Sequence, residues 1–370
     1  MVKLSGDACQ TGVANNRLPG GSSNGDRERD FEMSDSAEQE SGQTSERDLW
    51  IGIDLGGTKM FAGVCDANFE IVGRKRKSTK GHQGADAGVD RVIQTIEQAI
   101  EDAKVTRNRI AGIGFAAPGP LDLIDGIILE TPNLGWRDVP ICKLLKKEFD
   151  CQVTLLNDVD AGVYGECQFG VAKDAGSVVG LFPGTGIGGG FVRNGDILSG
   201  SRYSCFEVGH IRVHPDGPLC GCGRRGCLEA VASRLAIASA CAKAVYRGQA
   251  PRLKEIAGTD LCDIRSGALK QAIKEGDTVV EQIVRDAARQ LGTAAGSIVN
   301  LLHPDIILLG GGLVEALPDI YVKEVQNAAD DQIMPSFKKS FRVCASELGD
   351  FAAIKGAAAW AKKKHAEQPA

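Results

Sequence analysis

V-V-G-L-F-P-G-T-G-I-G-G-G-F-V, residues 178–192, reads as a short apolar strand, a glycine-rich break and a resumed strand. The same unit occurs earlier as W-I-G-I-D-L-G-G-T-K-M-F-A-G-V at residues 50–64, displaced by 128 residues when Gly56 is set on Gly184. A repeat at that spacing implies two domain-sized copies of one fold. The chain is therefore read as an α/β protein of two lobes, and a nucleotide held between them would meet one glycine turn from each side. Amides exposed in such a turn cradle phosphate, with Thr58 and Lys59 close to the first. G-x-x-x-x-G-K-[ST] is absent, so this is no Walker motif. Taken alone, D-L-G-G-T-K also reads as an ordinary hairpin.

Beyond the second turn lies E-V-G-H-I-R-V-H-P-D-G-P-L-C-G-C-G-R-R-G-C-L-E, residues 207–229. His210, Cys220, Cys222 and Cys227 give one imidazole and three thiolates, a closed tetrahedral set suited to structural Zn²⁺. His214, four residues on, is a substitute for His210. A closed site has no open position for water, so it holds a loop and the chemistry lies nearby. Glu207 and Glu229 bracket the ligands and are candidates for binding a polar substrate, or are solvated surface carboxylates.

In the rest of the chain, helical spacing covers residues 87–104 and a strand covers 110–116, followed by a P-G-P turn at 118–120. E-T-P-N-L-G-W, residues 130–136, reads as a loop whose polar groups line a cleft, although Asn133 is equally a turn residue. A strand at 153–156 leads into N-D-V-D-A, which opens a helix to about Cys167. Asp158 thus sits where open α/β sheets gather ligands, a position where it would also serve as a helix cap. Helices are expected over 230–246 and 278–302, then a strand at 306–309 whose turn, Gly310 to Gly312, can lie flat under a nucleotide. A strand at 341–345 and a helix at 352–363 close the chain.

A chain of 370 residues favours two domains, and 43% hydrophobic residues is ordinary for a globular protein. It contains no apolar run long enough to span a membrane, and its start lacks the apolar core of a secretory signal. Its 12 cysteines lack paired spacing, which points to reduced thiols and the cytoplasm. Residues 1–48 hold ten acidic and five basic side chains, hence the whole formal charge of −5. Poor in large apolar groups, they are expected to be disordered. The remaining body is formally neutral and offers nucleic acid no global attraction.

With D-L-G-G-T-K, the P-G-P loop, N-D-V-D-A, G-T-G-I-G-G-G, E-V-G-H and C-x-C-G-x-x-G-C-x-E in one order, the chain resembles the ROK family of sugar kinases and repressors. Within that family, E-T-P-N-L-G-W followed by D-V-P is most similar to bacterial-type glucokinases. The resemblance implies a two-lobed actin-like/hexokinase (ribonuclease H-like) ATPase fold around a cleft. It divides the chain into a small α/β domain (49–158 plus 351–366) and a large one (159–350) with the zinc loop. It makes Asp158 the general base and places Asn133, Asn157, Asp158, Glu207, His210 and Glu229 around glucose. Asp54, Gly56, Gly57, Thr58 and Lys59 fall near Mg²⁺ and the terminal phosphates of ATP, with Thr185 and Gly186 opposite and Gly310, Gly311 and Gly312 under the adenosine. A homodimer is ordinary for the family. Two alternatives remain: a kinase of another hexose or of N-acetylmannosamine, and a sugar-responsive repressor, whose basic DNA-binding helices residues 1–48 do not supply.

Overall fold

The computed structural model describes residues 47–131 and 134–367. Asn133 and nearly all of the extension expected to be disordered, residues 1–48, lie outside the described residues. Strands β1 (Leu49–Leu55) and β2 (Lys59–Cys65) pair antiparallel across the first glycine turn, with Leu55 opposite Met60. Next comes β3 (Ile71–Ser78), an edge strand whose Arg and Lys side chains discourage further strand addition. Helix α1 (Ala85–Ala103) crosses over to β4 (Ile110–Ala117), which runs parallel to β1. A small sheet follows, of β5 (Leu121–Asp122), β6 (Ile127–Thr131) and β7 (Trp136–Val139). Helix α2 (Ile141–Phe149) and β8 (Gln152–Asn157), parallel to β4, complete the first large sheet in the order β3-β2-β1-β4-β8.

Helix α3 (Asp158–Phe169) then leads to the second copy, which starts with β9 (Ser177–Pro183), β10 (Ile187–Arg193) and β11 (Asp196–Ile197). Five helices follow: α4 (Glu229–Ala232), α5 (Arg234–Tyr246), α6 (Pro251–Ala257), α7 (Ser266–Lys274) and α8 (Thr278–Leu302). The chain closes with β12 (Ile306–Leu309), α9 (Gly312–Ala316), α10 (Pro318–Gln332), β13 (Arg342–Ala345) and α11 (Ala352–Glu367). The second sheet runs β11-β10-β9-β12-β13, the same order and the same mix of antiparallel and parallel pairs as the first. The repeat read from the two glycine turns is thus a repeat of whole sheets.

Separate apolar cores form under α1 and α2 on the first sheet and under α5, α8 and α10 on the second. A third core joins the sheets, with Ala116 and Leu156 from the first, Val178 and Leu308 from the second, and α3 and α11 between. The close approach of α11 depends on missing side chains. A Cβ on Gly52 or Gly114 would lie 1.9 Å from the carbonyl oxygen of Ile354 or Ala357.

Four expectations need correction. The two ends of the stretch expected as a loop over 130–136 belong to strands, Glu130 and Thr131 to β6 and Trp136 to its antiparallel partner β7, and Trp136 packs in the core at 1% exposure against α1 instead of lining a cleft. The second glycine turn is confined to Gly184–Gly186, because Gly188 and Gly190 belong to β10, bare so that Val159 and Asp160 can pack onto it. The helix expected over 230–246 breaks at Ser233, whose hydroxyl caps α5 by accepting the Ala236 amide at 3.2 Å. Helices α6 and α7 lie where no element was expected; the proline opening α6 is a recognisable first-turn signal.

Candidate active site

Asn157 ends β8 and caps α3, its Oδ1 accepting the amides of Val159 at 2.9 Å and Asp160 at 3.3 Å. Asp158 is therefore the first helical residue rather than the cap, although its Oδ1 also accepts the Val159 amide at 2.9 Å. Asp158 lines two cavities that also share Val159, Phe182 and Gly311. The larger, about 350 Å³, is lined by Asn157, Asp158, Thr185, Gly186, Glu207 and Glu229 among others. The smaller, about 180 Å³, is lined by Asp54, Asp158, Gly311 and Asp350. Burial raises the pKa of Asp158 to about 6, with Glu207 adding to the rise and the Val159 amide opposing it. For Asp54, burial and then the carboxylates of Asp158 and Asp350 push it to about 7. Such perturbed carboxyls grouped in a cleft mark a candidate catalytic centre.

Asp350 was not singled out by the sequence. It precedes α11 and accepts from Lys59 Nζ at 3.3 Å and Arg76 Nη2 at 2.7 Å. Burial works to raise it, but these two cations outweigh that and hold the carboxyl below its usual range. Gly56, Gly57, Thr58 and Lys59 form the first turn, closed by the Gly56 amide on Lys59 O at 2.9 Å, and lie outside the walls of both cavities. In the last turn Gly311 reaches both cavities, whereas Gly310 packs under the Phe182 ring and Gly312 starts α9.

His210, Cys220, Cys222 and Cys227 converge, their donor atoms all within 4.8 Å of one another. Cys222 and Cys227 Sγ are 3.7 Å apart, as are Cys220 Sγ and His210 Nδ1. Zn–S bonds of about 2.3 Å at tetrahedral angles place two sulfurs about 3.8 Å apart, so the donor set and its spacing fit zinc. His214 is not part of the cluster; its Nε2 meets Gln290 Oε1 at 2.9 Å. The loop folds back at Gly226, where φ is +76° and a Cβ would lie 1.5 Å from His214 O.

Residues 50–364 match the ROK family profile. The chain belongs to the ROK family. Over 316 residues it is 33% identical to the glucokinase of Thermotoga maritima, covering 85% of this chain and 97% of that protein. The xylose repressor of Caldicellulosiruptor bescii is 26% identical over 306 residues, covering 83% of this chain and 76% of that protein. Among solved structures, the ROK family glucokinase from Streptomyces griseus in complex with glucose and AMPPNP superposes with a TM-score of 0.75 at 29% identity, covering 85% of this chain and 99% of that one. This ROK protein has the actin-like/hexokinase kinase fold, built from the two like sheets described above.

Proposed function

We propose that the protein is an ATP-dependent glucokinase that transfers the terminal phosphoryl group of Mg-ATP to the 6-hydroxyl of glucose. The observation that carries this reading is the position of Asp158 on the wall shared by two cavities. Sugar and donor phosphates would then meet at one carboxylate, with Thr185 and Gly186 on the donor side of the larger cavity. The raised pKa of Asp158, about 6, suits a base that works near neutrality.

Asn157, Glu207 and Glu229 bind the sugar hydroxyls from the larger cavity, and family likeness also assigns Asn133 and His210 to the sugar. Asp158 accepts the 6-hydroxyl proton as that oxygen attacks phosphorus in line, and the P–O bond to the departing ADP breaks. Thr185 and Gly186 lie opposite the first turn, with Lys59 and Asp54 on the phosphate side and Gly310 to Gly312 along the adenosine. Mg²⁺ bound with ATP would neutralise phosphate charge near Asp54. Zn²⁺ held by His210, Cys220, Cys222 and Cys227 would fix the loop that carries Glu207 and Glu229. The free thiols among the described cysteines suit a reducing cytoplasm.

Coupled ADP release, measured in parallel with glucose, mannose, fructose, glucosamine and N-acetylmannosamine, tests the substrate. Glucose should give the highest kcat/KM. A higher value for another sugar overturns the glucose assignment and leaves the kinase.

A further inference from the structure

Arg234, the first residue of α5, is pinned twice to the second glycine turn. Its backbone amide donates to Gly184 O at 2.9 Å, and its Nη2 donates to Thr185 Oγ1, also at 2.9 Å. The backbone bond follows from the helix entry at Ser233. The guanidinium bond does not, and this solvent-exposed contact to a neutral hydroxyl is the only side-chain hydrogen bond of Arg234 among the described residues, which leaves its charge free for an anion. Among the described residues Arg234 forms no ion pair, whereas Arg285 and Arg289 of the same lobe share Glu324.

The charge around the cleft sharpens the point. Asp54, Asp158, Glu207 and Glu229 line its two cavities, and Lys59 and Arg76 are both tied to Asp350. A polyanionic donor entering here needs positive charge not already committed to a protein carboxylate. Thr185, the hydroxyl that Arg234 grips, lines the larger cavity.

We propose that Arg234 binds the terminal phosphates of the phosphoryl donor together with Thr185. The guanidinium is a fork of several N–H donors, so one can stay on Thr185 while others meet phosphate oxygens. This deepens the proposed function and rests on it for the identity of the donor.

Calorimetric titration of ATP and of AMP into wild type, Arg234→Ala and Arg234→Lys tests it. In Arg234→Ala, ATP affinity should fall about tenfold, the weight of one charge-assisted contact. AMP lacks the terminal phosphates, so its affinity, like that for glucose and the Tm, should hold, and Arg234→Lys should recover part of the loss. Unchanged ATP affinity in Arg234→Ala overturns the inference. So does an equal weakening of ATP and AMP with a lowered Tm, the mark of an arginine that merely props the turn. Binding is read without turnover. A wild type that binds ATP but phosphorylates no sugar would therefore count against the kinase reading while the titrations still decide Arg234.

Discussion

Glu229 Oε2 accepts the amide of Ile187 at 3.1 Å, which fastens the end of the cysteine loop to the strand that leaves the second glycine turn. Its other oxygen lies 3.5 Å from Cys220 Sγ. One carboxylate thus couples the candidate metal site, the larger cavity and the second glycine turn.

Glu229→Gln keeps an acceptor for Ile187 but removes the charge offered to a sugar hydroxyl. A hydrogen bond to a charged group outweighs a neutral one by enough to raise KM for glucose about tenfold, with Tm nearly unchanged. Steady-state kinetics and a thermal melt check this. A wild-type KM would remove Glu229 from the sugar site.

Asp158→Asn retains the shape and loses the base, so kcat should fall by about 10²–10⁴. The wild-type kcat/KM should likewise decline as pH drops below about 6, where the carboxylate takes up a proton. Stability follows the opposite sign. Because the folded pKa lies above the ordinary carboxylate value, Asp158 favours the folded state at low pH, and that contribution is lost as pH rises through about 6. Asn carries no such penalty. The Tm of Asp158→Asn relative to wild type should therefore climb between pH 4 and pH 7, and a flat difference would show that burial does not tune this group.

Metal analysis should find one zinc per chain. Cys222→Ala opens a site whose binding energy is also local folding energy, so zinc and glucose affinity should both be lost while nucleotide binding persists. Full glucose binding by the zinc-free variant would separate the metal from the sugar site.

What the sequence disclosed was local. Each glycine turn is read from adjacent residues, and the four zinc-ligand candidates fall within one loop, so the repeated sheets and the cluster were both legible. Asp350 was not, since its partner Lys59 lies 291 residues away and no neighbouring residue hints at the pairing. Arg234 was hidden for a different reason. The periodicity of residues 230–246 runs through Ser233 without a break, and only tertiary hydrogen bonds to Gly184 and Thr185 show that the helix restarts there. Trp136 was misplaced because the breakers around it mask a strand pairing that turns its indole inward.

Glu166 lies on α3 two turns beyond Asp158 and is fully buried. Its Oε1 accepts the Ser346 hydroxyl at 2.6 Å and the amides of Glu347 and Leu348 at 2.8 Å each, and its Oε2 accepts the Val171 amide at 3.1 Å. The helix that starts with the proposed base therefore clamps the segment leading to Asp350, the partner of Lys59. Glu166→Ala would orphan three backbone amides, at about 1–3 kcal/mol each before water relieves part of the loss. For a domain of this size that lowers Tm by about 10 °C. The freed segment should also raise KM for ATP at temperatures where the variant is still folded, because Asp350 no longer holds Lys59 and Arg76 in place. Glu166→Gln, which keeps one acceptor oxygen, should fall between. Melting curves and ATP kinetics for the three proteins check this, and equal Tm for Glu166→Ala and wild type would show that the clamp carries no stability.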